Sequence, residues 1–341
     1  MSTSVCHQFI ARDSGRVQTE QLFGDRIIRL LYHPLRERAP QVFQALTSAR
    51  SSRCLAFFNY DLALASRVLG NSQFLKESGV DWSECLDPPS SLDTARKLFE
   101  RKIRYWECRP LPEQDQAILS PADARVLVGS FAETSALFLK EKFFSFDELL
   151  GPASRPWRKT FTGGDFAIFR LTPDKYHYNH LPVSGRVVDF YELDGGYHSC
   201  NPAAVVSVAT PYSKNRRVVT ILDTDLPDGS RVGLVAMIEV VALMIGEIAQ
   251  CCSDHRYDAP QAVEVGMFLR KGQPKSLYRP GSSTDVLVFQ PQRVRFAPDL
   301  VANLHRRDAH SRFSNGFGQP LVETDIRVRS LLALPAATPI E

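Results

Sequence analysis

Hydrophobic positions follow two patterns along the chain. In the first third they recur at helical spacing: Phe23, Ile27, Leu30 and Leu31 form one set, and Phe58, Leu62, Ala65 and Leu69 another. Pro34, Pro40 and Gly70 punctuate these stretches. A Pro/Ser break at Pro88–Ser91 precedes a basic stretch, Asp93–Arg104, which reads as a helix. From about residue 118 short Val/Ile-rich runs alternate with turn residues. They are Ala124–Val128, Phe166–Leu171, Arg186–Tyr191, Ala203–Ala209, Arg217–Asp223, Val232–Ile248 and Asp285–Phe289, and each predicts strand. The longest, Val232–Ile248, carries Glu239 and Glu247. A charge inside a bilayer costs about 2.5–3.5 kcal/mol on insertion scales, so two buried strands fit this run better than a spanning helix. The expected fold class is α+β, with a helical N-terminal region (1–115) packed on a β-rich catalytic domain (116–341).

Composition narrows the function classes. Hydrophobic residues make up 44% and charged residues 23%, enough to bury a sizeable core without staples. The formal net charge of +3 argues against a nucleic-acid binder driven by bulk charge. Seven cysteines, an odd number without CxxC spacing, read as free thiols in a reducing compartment and offer no zinc site. The first residues lack an apolar h-region, so no signal peptide is expected. Residues 1–70 hold nine Arg against five acidic residues. Apolar faces flanked by arginine suit an anionic membrane surface, and equally suit packing on the protein's own core.

Three segments carry candidate chemistry. Gly281-Ser282-Ser283-Thr284 stands just before a strand, where a turn is the ordinary reading. His177 and His180 stand three apart between a Pro-Asp turn and a Pro/Gly turn, and histidine suits proton transfer near neutral pH. No third ligand at a recognisable spacing supports a metal there. Asp123, in Ser120-Pro121-Ala122-Asp123, sits at the mouth of a strand. A hydroxyl, a base and an acid that orients the base form a generalised triad, here in the order Asp123, His180, Ser282.

Six ordered blocks resemble the phosphatidylserine decarboxylase family. They are Phe74–Leu86 with Lys97–Pro110, Ser120–Val126, Phe144–Gly151, Arg170–Gly185, Tyr197–Val205 and Gly281–Thr284. The last is similar to the family's Leu-Gly-Ser-Thr cleavage motif. The resemblance implies a proenzyme that cuts itself between Gly281 and Ser282. Asp123 would orient His180, His180 would deprotonate Ser282, and Ser282 would attack Gly281. The products would be two subunits, 1–281 and 282–341, with a pyruvoyl group formed from Ser282. That ketone would condense with the substrate amine and serve as an electron sink while carbon dioxide leaves. His177 or His180 would then supply the last proton.

The chain departs from the family pattern in several places. Ala124 replaces the glycine after Asp123, Pro280 precedes Gly281, and Tyr178 follows the first histidine. Spacing to Phe289 equally allows Ser283 as the modified residue. Three functions follow from the resemblance: decarboxylation of phosphatidylserine to phosphatidylethanolamine, the same chemistry on a soluble amino acid or another serine lipid, and a scaffold that binds without catalysis. The expected partners are the amine substrate, a membrane surface and the chain's own two fragments, with a homodimer allowed and no nucleic acid. The expected location is peripheral on the cytoplasmic face of a membrane, or cytoplasmic, with no transmembrane helix.

Overall fold

The computed structural model describes residues 6–20, 22, 79–132, 143–151, 156–207, 210–242, 247–281 and 283–336. The amphipathic faces at 23–31 and 58–69, and Ser282, lie outside the described residues.

The strands, in chain order, are β1 Gln8–Ala11, β2 Arg16–Thr19, β3 Ile118–Leu119, β4 Ala124–Ser130, β5 Asp165–Leu171, β6 Tyr178–His180, β7 Gly185–Leu193 and β8 Arg217–Asp223. They continue with β9 Leu234–Val241, β10 Ile248–Gln250, β11 Phe268–Leu269, β12 Pro274–Tyr278, β13 Ser283–Phe289, β14 Val294–Phe296, β15 Thr324–Ile326 and β16 Leu331–Pro335. A 10-stranded sheet has the order β11-β7-β8-β9-β13-β5-β4-β15-β1-β2, and two 3-stranded sheets, β10-β12-β6 and β14-β16-β3, accompany it. The fold is α+β and mostly β, as the strand-rich pattern after residue 118 predicts.

The middle of the large sheet is buried on both faces. That is why β9 (LVAMIEVV) and β13 (STDVLVF) read as nearly unbroken apolar runs. Alternation along β13 sends Leu287 and Phe289 into one core with Val235, Met237 and Phe169. Val286 and Val288 enter the opposite core with Ala236, Ile238 and Ile168. The Val232–Ile248 run resolves into β9 and β10, the pair of strands expected from it. Among the described residues no helix is long and apolar enough to cross a membrane.

The structure corrects three sequence readings. Ala203–Ala209 was expected as strand, but Pro202–Ser207 is a helix. Asn201 caps it by accepting a hydrogen bond from the Ala203 amide at 2.9 Å, and Pro202 pre-sets the helical φ. The single helix expected over Asp93–Arg104 is instead Ala95–Phe99, followed by extended chain and a second helix, Tyr105–Cys108. Arg101 and Ile103 are buried in the extended link, and Ile103 bridges to Cys85. Finally, β1 and β2 form a hairpin that the helical reading of the first third omits. It joins the large sheet through a parallel pairing of β1 with β15.

Arg170 of β5 anchors that hairpin. Its guanidinium bonds Glu20 at 2.6 and 2.8 Å and Glu323 at 2.6 and 2.9 Å. His7 meets Glu323 at 2.7 Å. His7, Glu20 and Glu323 have the spacing of metal ligands, but the Arg170 cation already sits against both carboxylates.

Candidate active site

β6 and β12 of the small sheet meet the large sheet where Asn179 and Lys275 reach Glu239 of β9 and Tyr278 reaches Asp285 of β13. His177 comes directly before β6. Its ring stacks on Phe99, with centroids 3.5 Å apart. The side chain is fully buried, and neither ring nitrogen has a hydrogen-bond partner. Burial, helped by the nearby Arg101 charge, pulls its pKa down to about 3, so the ring is neutral at physiological pH.

His180 ends β6 and is buried among Tyr105 and Tyr176. Its Nδ1 lies 3.0 Å from the Gly272 carbonyl, which only accepts, so Nδ1 carries the proton. Nε2 is then a lone pair, and it accepts from the Tyr176 hydroxyl at 3.0 Å. Burial also brings this imidazole down to about 3.

Asp123 precedes β4. Its carboxylate accepts from Arg109 at 2.8 and 3.1 Å and from the Val328 amide at 2.7 Å. Burial alone would raise this carboxyl, but Arg109 outweighs it and holds the group below the usual range. Since His180 spends both nitrogens on Gly272 and Tyr176, the direct Asp123–His180 contact expected from the sequence is not formed. Asp123 reaches His180 through its field alone, favouring the protonated ring. Ala124 opens β4 with an ordinary negative φ, so replacing the family's glycine introduces no left-handed turn.

Gly281 is buried at φ 150°, a backbone region that glycine adopts without strain and other residues avoid. Ser283 follows as the first residue of β13, paired with Leu171 on one side and Val241 on the other. Its Oγ is buried and has no partner. Tyr278 joins this turn to the first histidine. Its amide bonds the His177 carbonyl at 3.1 Å, and its hydroxyl bonds the Thr284 carbonyl at 3.0 Å and Asp285 Oδ1 at 2.7 Å.

Sequence reading missed the polar cluster beside Ser283. Asp285 lies opposite Glu239 in the β13–β9 register. Glu239 is bonded by Lys275 at 2.5 Å, by Asn179 at 3.3 Å and by the Ser276 hydroxyl. All five side chains are fully buried. The available signal was two carboxylates, each alone inside an otherwise apolar strand run.

A pyruvoyl group made in place requires a serine hydroxyl, a permissive residue before it and a base. The Gly281 backbone suits a cut before Ser282, the unpartnered Oγ of Ser283 offers a hydroxyl one residue later, and two neutral imidazoles are candidate bases.

Comparison with known proteins agrees. A family model described as phosphatidylserine decarboxylase matches residues 95–309. The chain is 31% identical over 281 residues to a phosphatidylserine decarboxylase proenzyme of Bordetella petrii, covering 78% of this chain and 86% of that protein. A proenzyme of the same name from Fusobacterium nucleatum is 25% identical over 302 residues, covering 88% of this chain and 93% of that protein. Phosphatidylserine decarboxylase proenzyme 3 of Schizosaccharomyces pombe is 27% identical over 307 residues, 89% of this chain but 30% of that longer protein.

Proposed function

Because the chain belongs to the phosphatidylserine decarboxylase family, we propose that it is a carboxy-lyase proenzyme that cuts its own backbone at the 281–283 turn and then decarboxylates phosphatidylserine. The observation that carries this reading is that buried polar atoms without partners recur on the two segments that hold the predicted site residues, 177–180 and 281–285. His177, Asn179, Ser283 and Asp285 all contribute them. Such groups cost about 1–3 kcal/mol each when left unsatisfied, and they mark a site waiting for chemistry.

In self-cleavage, His180 takes the proton of the attacking serine. The Gly272 carbonyl keeps its proton on Nδ1, so Nε2 is the basic atom, and Tyr176 must release it first. Asp123, its charge fixed by Arg109, favours the imidazolium that forms. Ser282 preserves the Gly-Ser bond and is the serine expected from the sequence. One observation favours Ser283 instead: its hydroxyl is buried without a partner in a strand held on both sides.

A pyruvoyl group at that serine supplies a carbonyl sink for the electron pair left when carbon dioxide departs. His177, neutral and with both nitrogens open, handles the proton at the substrate carbon. A lipid substrate is met at a membrane surface, and the free thiols among the described residues suit the reducing, cytoplasmic side of it.

Intact mass tests the cleavage. Fragments 1–281 and 282–341 assign Ser282, fragments 1–282 and 283–341 assign Ser283, and a chain that stays whole rejects the reading. His180→Ala blocks the cut. Release of carbon dioxide from phosphatidylserine vesicles tests the substrate, and turnover of a free amino acid without turnover of vesicles removes the lipid assignment.

A further inference from the structure

The geometry points to Tyr257 as a positioning residue for self-cleavage: with Tyr176 and the Ile103 carbonyl it forms a hydroxyl chain that holds His180 in its protonated form. This assignment rests on the reading of His180 as the base, and it adds how a buried ring is made to accept the serine proton.

Four contacts run in series from the Gly272 carbonyl through the ring to the Ile103 carbonyl. His180 Nδ1 lies 3.0 Å from the Gly272 carbonyl, and Nε2 lies 3.0 Å from the Tyr176 hydroxyl. That hydroxyl lies 2.8 Å from the Tyr257 hydroxyl, which lies 2.9 Å from the Ile103 carbonyl. Each contact needs one hydrogen. The two tyrosines bring one each, and a neutral imidazole brings one, whichever nitrogen carries it. Three hydrogens leave one contact bare, with two lone pairs facing each other. An imidazolium brings two, and every contact is then filled. Nδ1 donates to Gly272, Nε2 to Tyr176, Tyr176 to Tyr257, and Tyr257 to the Ile103 carbonyl. The hydroxyl chain is one hydrogen short around the resting base and complete around the acid it becomes.

Tyr257 is fixed where this requires it. Its ring stands edge-on to Tyr105, Trp106 and Tyr178, with centroids 5.5, 6.4 and 5.1 Å away. Its oxygen also accepts from the Ile103 amide at 3.1 Å. On either side of Ile103 the backbone bonds elsewhere, Lys102 to Leu86 and Arg104 to Glu84. Capping Ile103 accounts for two of the Tyr257 contacts. It does not account for the third, to Tyr176.

The two hydroxyls act at the moment charge forms. The Tyr176 hydrogen turns to Tyr257, which frees the Nε2 lone pair. The serine O–H bond breaks, its electron pair stays on oxygen for attack on the preceding carbonyl, and the proton passes to Nε2. The new N–H then meets the Tyr176 oxygen, and the Tyr257 hydrogen rests on Ile103. Among the fixed charges Asp123 favours the charged ring, while Arg329 and Arg109 oppose it. The hydroxyls add stabilisation that those charges do not supply.

The test follows self-cleavage of the freshly translated full-length protein by intact mass. Tyr257→Phe and Tyr176→Phe are each expected to slow the cut by about tenfold, as loss of one hydrogen bond supporting a charged group does. Both break the same hydroxyl chain, so the double variant is expected to cut no more slowly than the slower single one. Two independent losses would multiply. Turnover of phosphatidylserine vesicles per cut molecule is measured on the same samples and is expected to fall by less than the cutting rate. A parent rate in Tyr257→Phe, losses that multiply, or equal falls in cutting and turnover each overturn the assignment. Tyr176→Phe leaves the Ile103 bonds in place, so it keeps the idea testable if Tyr257→Phe does not fold, and a parent rate there also overturns it. His180→Ala separates the two readings. If that variant still cuts, His180 is not the base and the hydroxyl chain falls with it. If it stays whole while Tyr257→Phe cuts at the parent rate, only the hydroxyl chain falls.

Discussion

Arg109 holds Asp123 through two hydrogen bonds, at 3.1 and 2.8 Å, and its other face binds Glu84 at 2.7 and 2.9 Å. Both Asp123 and Arg109 are buried. Removing one member of such a pair leaves an uncompensated charge and costs about 3–5 kcal/mol. Arg109→Met is therefore expected to lower stability by about that amount in urea unfolding. It also slows self-cleavage, because Asp123 is then free to protonate and its field on His180 is lost. A variant as stable as the parent and cut at the same rate would show that this pair is decorative.

The two buried histidines set how stability changes with pH. An unfolded imidazole titrates near 6.5, while His177 and His180 are brought down to about 3 in the fold. The folded pKa values are depressed, so this stability is complete above pH 6.5 and drains away as pH falls. Asp285 acts in the opposite sense. Its folded pKa is raised, so above the unfolded carboxylate value the folded chain keeps a proton that the unfolded chain has begun to lose. Between about pH 4 and 6.5 the two histidines give the unfolded chain up to two extra protons, so by themselves they lower stability by about 2.7 kcal/mol per unit of acidification, and Asp285 opposes that slope. Asp285→Asn removes the opposition and should steepen the slope toward the histidine figure. Urea midpoints of parent and variant at three pH values in this window check the difference.

Legibility in the sequence followed locality. β8 has the same bounds, Arg217–Asp223, that its run of Val, Ile and Leu predicts. β4, β5, β7 and β13 agree with their predicted runs to within two residues at either end. Central strands buried on both faces leave an unmistakable apolar pattern. The helix Pro202–Ser207 was misread because its Ala/Val composition suits either state, and the Asn201-Pro202 cap decided between them. Contacts distant in sequence left no local trace. Asp123 is bonded by Val328, 205 positions away. Asp285 and Glu239 read as polar interruptions, since nothing local announces that β6 and β12 will reach them.

Arg170 supplies a test of how the hairpin is held. It is the cation between Glu20 and Glu323, and it touches three separated parts of the chain. Arg170→Met leaves two buried carboxylates facing each other beside His7. A loss of about 3–5 kcal/mol is expected, concentrated at β1, β2 and β15. Hydrogen exchange resolves this: amides of β1 and β2 lose protection while those of β8 and β9 keep it. Uniform loss across the sheet would mean that Arg170 supports the whole core instead.

Lys275 and Glu239 are an ion pair at 2.5 Å with both side chains fully buried. Deep pairs of this kind return little net stability, because desolvation consumes most of the attraction. Breaking one from a single side is a different matter. Lys275→Met strands Glu239 next to Asp285 and should cost about 3–5 kcal/mol. Lys275→Met with Glu239→Gln removes the stranded charge and should recover most of the loss, giving a favourable coupling of about 1–3 kcal/mol in a double-mutant cycle. The same double variant deprives Asp285 of the charge that faces it, so its carboxyl moves down toward the usual range. Stability and the Asp285 titration therefore respond together. A cycle that closes additively would place the two side chains too far apart to interact and would remove the electrostatic frame around Asp285.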